Sequence, residues 1–289
     1  MIANLKQKLK RMLGPNVVDA TRLRVRRLQM KALMASIRRH GWTLESLDMT
    51  DEQAAIHFAN DITVDEFTRL GIRMFHEFKL EFLRETLGTE YIRSHTFFEI
   101  GDSDGLVLRA LGKKGFSINN DPRCIDLMHR NGIEAELGLG EGVATPSKSY
   151  DVAMSFETLE HSLNPLAFLQ EMTRVARDKV IISIPGVTRT YSHPRVKGMR
   201  VGEEHVFEFC TRDLINLTTH LPLRLARHTK FSVFNTPVRA DAAFFYLTTR
   251  TPDLFGGSFR WFDFYVFDVV EDDQGRTVAE NAAVYTKRA

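Results

Sequence analysis

The sequence predicts an α/β fold in which helices cover both faces of a doubly wound, mostly parallel sheet, preceded by a helical region. Three observations predict it. From Phe97 onward, short apolar runs alternate with segments of helical periodicity. The runs are apolar along their length, as strands buried on both faces are. The first of them, within Thr96-Phe97-Phe98-Glu99-Ile100-Gly101-Asp102-Ser103-Asp104-Gly105, carries an acid and breaks into a two-glycine turn before a helix. Strand, glycine turn and helix together suit a nucleotide-type ligand, because glycine lets backbone approach it and the helix start offers free N–H groups.

The elements follow in order. Ile2, Leu5, Leu9, Met12 and Leu13 form the stripe of a short helix that Gly14-Pro15 stops. Asp19 caps a second helix that runs to about His40 and ends at Gly41. Thr50-Asp51-Glu52-Gln53 and Thr63-Val64-Asp65-Glu66 have the capping-box form, and each opens a helix, the latter ending at Gly88. Strands are expected at Phe97–Ile100, Gly115–Asn119, Asp151–Phe156 and Val180–Ile184. Helices are expected between them, at Leu106–Leu111, Pro122–Asn131 and Pro165–Arg177. Residues 1–94 thus read as a basic helical region, a lid or oligomerisation element, and residues 95–289 as the α/β domain with an antiparallel extension.

Composition bounds the function. The 289 residues carry a net charge of +2, but the first 40 hold eleven Lys/Arg and one acid, leaving 28 basic and 36 acidic residues in the remainder. A basic arm on an acidic body points to an acidic partner protein, a membrane surface, a second copy of the chain, or its own acidic body. Nucleic acid is disfavoured, because the arm has no aromatic residue before Trp42. Cys124 and Cys210 belong to no CxxC pattern and read as reduced thiols. With no apolar run long enough to span a bilayer and no h-region, the expected location is cytoplasmic, with the membrane surface as a candidate contact.

Some motifs exclude themselves. His76-Glu77 starts like a zinc-protease helix, but position 80 is Leu, so the second ligand is missing. Gly138, Gly140 and Gly142 make a GxGxG string with no Lys-Ser/Thr after it, so it is no P-loop. The glycines at 101 and 105 do not have the GxGxxG spacing of a nicotinamide site. No set of residues is assigned to a metal.

Ligands of such sheets bind outside the carboxyl ends of the strands, so the segments after each strand matter most. Glu99-Ile100-Gly101-Asp102-Ser103-Asp104-Gly105 resembles the E/D-x-G-x-G-x-G motif of class I S-adenosylmethionine-dependent methyltransferases, with Ser103 at the middle glycine. Asn119-Asn120-Asp121-Pro122 resembles the family's D-x-S-P element, with an amide where the ribose-gripping carboxylate stands. Ser147–His161 resembles its P-x-x-S-F-D-V-V…L-E-H signature, and Glu204–Thr211 its H-x-x-F-F-T element. The resemblance covers about residues 96–270 and implies a Rossmann-like seven-stranded sheet with an antiparallel C-terminal strand, the closing antiparallel pair falling at Leu225–Val233 and Arg260–Val270. It implies S-adenosyl-L-methionine as methyl donor, held by Glu99, Gly101, Asp102, Ser103, Gly105, Asn119, Asn120, Asp121, Glu141, Ser155, Phe156 and Glu157. Glu141 takes the adenine contact in this reading. The branch resembled acts on small molecules, quinone precursors and glycan units.

A hydroxyl acceptor must lose a proton, work suited to histidine. His161 and His205 are the candidate catalytic residues, each with loop anchoring as the other role, and His193 is a weaker candidate. Glu157 and Glu160 could orient His161, bind a metal with it, or start a helix. The expected activity is O-methylation of a small-molecule or saccharide acceptor. The other reading is a methyltransferase-like scaffold that has lost catalysis and binds a partner, motivated by Ser103, Asn119 and Leu139.

Overall fold

The computed structural model describes residues 66–112, 114–186, 191–192, 205–231 and 262–270, together with Lys31. Apart from Lys31, which is helical, the expected helices before Glu66 lie outside the described residues, as do His193 and Glu204.

Helix α1 spans Glu66–Leu87 and begins within the second capping-box segment. Gly88, at φ 78°, separates it from α2, Thr89–Ser94. The sheet then assembles from β1 (Phe97–Ile100), β2 (Gly115–Asn119), β3 (Glu134–Leu137), β4 (Tyr150–Phe156) and β5 (Ala176–Pro185). Helices α3 (Leu106–Ala110), α4 (Pro122–Arg130) and α5 (Pro165–Val175) intervene, with a 3₁₀ turn at Leu159–His161. A small pair, β6 (Tyr191–Ser192) and β7 (Phe207–Glu208), precedes α6 (Thr211–Thr218), β8 (Leu223–Phe231) and β9 (Phe262–Val269).

The strand order is β3-β2-β1-β4-β5-β9-β8. Pairing is parallel from β3 through β5, and β9 runs antiparallel between β5 and β8. The expected doubly wound, mostly parallel seven-stranded sheet with its antiparallel C-terminal strand is therefore the fold. Strand β3 is absent from the expectation because its burial runs exposed, buried, exposed, exposed at the sheet edge. It carries no apolar run. The helix expected to reach Arg177 stops at Val175, since Ala176 and Arg177 already belong to β5.

Alternation along each strand divides the core into two layers. Phe97, Val152, Met154, Ile181, Phe264 and Val266 face one layer with Leu106, Leu108 and Met128, and α1 adds Leu80, Phe82 and Leu83 to it. Phe98, Ala153, Val180, Ile182, Tyr265 and Phe267 face the other with Phe168, Leu169, Met172 and Leu214. Every residue of β1 is buried, as a central strand covered on both sides requires. Proline and caps set the helix starts. Asp121 accepts from Arg123 N with Pro122 in the first turn of α4, and Asn164 accepts from Ala167 N with Pro165 in the first turn of α5.

Candidate functional site

The carboxyl ends of β1, β2 and β4 converge at the switch between β1 and β4. Gly101 leaves β1 at φ 92°, and its N–H donates to Ile118 O at 2.8 Å. A Cβ there would lie 2.1 Å from Thr158 Oγ1, and one on Gly105 would lie 2.5 Å from Ile133 Cγ1. Both glycines are thus required by close packing as well as by their positive φ.

Around this turn the structure gathers acids. Glu99 is 2% exposed, and its Oε2 has no hydrogen-bond partner among the described residues. Burial, then the charge of Asp102, pushes the Glu99 carboxyl well above the usual carboxylate range. Asp102 is raised to about 6, by burial and then by Asp104. Glu157 closes β4 with φ 49°, a left-handed conformation rare outside glycine. Its Oε1 accepts from Ser183 Oγ at 2.5 Å. Burial raises Glu157, and burial followed by the charge of Glu157 raises Glu160 well above its ordinary value.

Lys79, a residue not expected at the site, answers this cluster. Lys79 of α1 is 8% exposed. Its Nζ lies 3.6 Å from Glu157 Oε2 and 5.1 Å from the centre of the Phe156 ring. Its charge lowers the carboxyls of Glu99, Asp102, Glu157 and Glu160 alike. A signal existed: Lys79 lies three and four residues before Phe82 and Leu83, so it stands on the core-facing stripe of its helix. A lysine there needs a buried anion.

The other expected residues divide. Ser155 Oγ donates to Ile100 O at 2.9 Å and locks β4 to β1, while Phe156 packs in the core. Asn119 Nδ2 donates to the Asp102 carbonyl at 2.9 Å, and its Oδ1 accepts from Asp121 N at 2.8 Å. The amide that stands at the ribose position therefore ties the β1 and β2 turns together, with one N–H and one lone pair left over. Asn120 is exposed. Asp121 is engaged by Arg123 at 2.5 Å, which holds its carboxyl below the usual range. Ser103 is half-buried in the turn. Glu141 does not stand open, because its Oε1 accepts from Ser162 Oγ at 2.8 Å and Leu163 N at 2.9 Å. That carboxylate staples the β3–β4 loop to the turn before α5.

His161 and His205 come together although 44 positions separate them. Val206 N donates to Glu160 O at 2.8 Å and draws the later segment onto the 3₁₀ turn. The two imidazoles meet edge to face at 4.8 Å.

The methyltransferase domain family matches residues 98–184, the segment that holds β1 through β5. The chain carries a class I methyltransferase domain. It is S-adenosylmethionine-dependent, as that domain implies. Solved structures agree on the fold of this methyltransferase. Magnesium protoporphyrin IX methyltransferase from Synechocystis, with S-adenosylmethionine bound, is 10% identical with a TM-score of 0.50, over 75% of this chain and 89% of that one. A proposed sarcosine dimethylglycine methyltransferase from Galdieria sulphuraria is 16% identical with a TM-score of 0.50, over 76% and 97%. No curated protein matches the chain.

The methyltransferase's own residues fit the donor. The unsatisfied Glu99 oxygen and the Asp102 carboxyl beside it suit an α-ammonium, and Lys79 suits a carboxylate. When bound, the donor supplies a methyl group on a positively charged sulfur, an activated leaving group.

Proposed function

We propose that this methyltransferase transfers its methyl group to a hydroxyl oxygen of a small-molecule or saccharide acceptor. The observation that supports this is the His161–His205 pair, its rings 4.8 Å apart beside the end of β4. Of the three common acceptor atoms, nitrogen attacks as a neutral amine and sulfur as a readily formed thiolate, whereas a hydroxyl has to give up a tightly held proton as it attacks. It therefore gains most from groups that stabilise the developing oxyanion at neutral pH. The remaining work is alignment and exclusion of water. Residues 1–94 act as a lid in this reading, supported by Lys79 reaching the donor-site acids from α1.

The test pairs binding with transfer. Calorimetry of the full chain with S-adenosylhomocysteine should give saturable heat. Incubation with methyl-labelled donor should label hydroxyl acceptors, and not matched amines or thiols. Binding without transfer to any acceptor class would favour the inactive-scaffold reading, for which the tied amide of Asn119 is the structural motive.

A further inference from the structure

Glu160, His161 and His205 each offer one ligand atom, and these atoms all lie within 4.8 Å of one another. Glu160 is 1% exposed, and neither of its carboxylate oxygens has a hydrogen-bond partner on another described residue. A buried carboxylate left without donors is costly, and proteins pair such groups or place them on a metal. Lys79 Nζ lies 3.6 Å from Glu157, the other acid of the segment.

We propose that Glu160, His161 and His205 bind a divalent first-row transition ion such as zinc, and that this ion receives the acceptor's hydroxyl. Two imidazoles and one carboxylate are a donor set for zinc, cobalt, manganese or iron, whereas calcium and magnesium favour oxygen throughout. Ligands about 2.1 Å from a shared ion stand about 3.4 Å apart in a tetrahedral site, so the cluster closes by about an ångström of side-chain rotation. The backbone already sets its frame. Val206 N is bonded to Glu160 O at 2.8 Å, which holds the His205 segment against the turn bearing the other two ligands. Glu208 Oε1 lies 3.6 Å from His205 Nδ1, where a carboxylate orients a metal-bound imidazole.

Three protein ligands leave a coordination position open, as catalytic sites do. The role given to the ion rests on the hydroxyl reading above. A hydroxyl on the ion loses its proton to water, because the cation stabilises the resulting oxyanion. The oxyanion attacks the methyl carbon, the O–C bond forms and the C–S bond breaks. The electron pair stays on sulfur, giving a methyl ether and S-adenosylhomocysteine. The histidines are then ligands and not the general base.

The full chain, stripped of metal by chelation, is titrated with Co²⁺ while visible absorption is recorded, and S-adenosylhomocysteine affinity is measured on the same protein by calorimetry. One cobalt per chain with ligand-field absorption, displaced by Zn²⁺, is expected. Glu160→Gln, His161→Ala and His205→Ala should each weaken cobalt binding at least about tenfold, while S-adenosylhomocysteine affinity stays within about twofold. His220→Ala, on a histidine outside the cluster, should change neither. Circular dichroism checks that each variant is folded, and solvent-accessible His161 is the position least able to disturb the core. Absence of cobalt binding, or equal affinity in all three variants, overturns the proposal. S-adenosylhomocysteine binding without cobalt binding defeats the metal site alone. Cobalt binding without S-adenosylhomocysteine binding supports the metal site and defeats the methyl-donor reading.

Discussion

Replacing Gly101 by alanine probes the turn on which the donor site rests. Gly101 has φ 92°, where a Cβ costs about 1–2 kcal/mol of backbone energy. The added Cβ would lie 2.1 Å from Thr158 Oγ1, 2.4 Å from its Cγ2 and 2.8 Å from its Cβ. Thr158 cannot simply swing aside, since its Oγ1 donates to Phe156 O at 3.0 Å. Overpacking of this kind adds about 1–3 kcal/mol. The expected loss for Gly101→Ala is therefore about 2–5 kcal/mol, against the roughly 5–15 kcal/mol that holds a typical native fold. Urea unfolding should show a lower midpoint with an unchanged slope. S-adenosylhomocysteine affinity should fall at least about tenfold if, as proposed for the site, the displaced turn meets the donor. Adding Thr158→Ala removes the two nearest atoms, so the double variant should lose less than the sum of the single losses. The left-handed contribution remains in both. Wild-type midpoint and affinity in Gly101→Ala, or strictly additive losses in the double variant, would refute the reasoning.

Three further outcomes are expected. Asp102 is raised to about 6 from an ordinary 3.8. Its proton thus stabilises the native chain fully below about pH 3.8, and that contribution is lost as pH rises through about 6. Wild type should lose stability relative to Asp102→Asn across this window, and parallel curves would contradict it. Lys79→Met removes the charge that lowers the Glu99 and Asp102 carboxyls, the pair that suits the donor's ammonium. The pH at which S-adenosylhomocysteine binding turns on should therefore move upward, and calorimetry across pH would expose an unmoved midpoint. Tyr91→Phe deletes the hydrogen bond from the Tyr91 hydroxyl to Asp178 that ties α2 to β5. It should cost about 1–2 kcal/mol in urea unfolding, with donor affinity unchanged.

The sheet was legible because its central strands are apolar runs bounded by turn residues, and that pattern is local. Its edge was not. Strand β3 is held by pairing with β2, from Phe116 opposite Glu134 to Asn119 opposite Leu137, and pairing leaves no mark in a sequence as polar as Glu-Ala-Glu-Leu. Glu99 and Gly101 could be singled out from the acid-and-glycine turn alone. The partners of Glu141 could not be read from its neighbours, because Ser162 and Leu163, which donate to it, arrive from across a loop.

By itself the sequence determined the central strands, the helices between them and the glycine turn, since each is written in contiguous residues whose periodicity and backbone freedom are intrinsic, while the methyl donor was implied by the resemblance of its motifs to methyltransferases. Tertiary structure decided which side chains share a charge environment. It set Lys79 against Glu157, left the Glu160 carboxylate buried, and brought His205 to His161. Those distances depend on how α1 and the segment before α6 pack on the sheet, and Coulomb and coordination energies depend on distance in space and not along the chain.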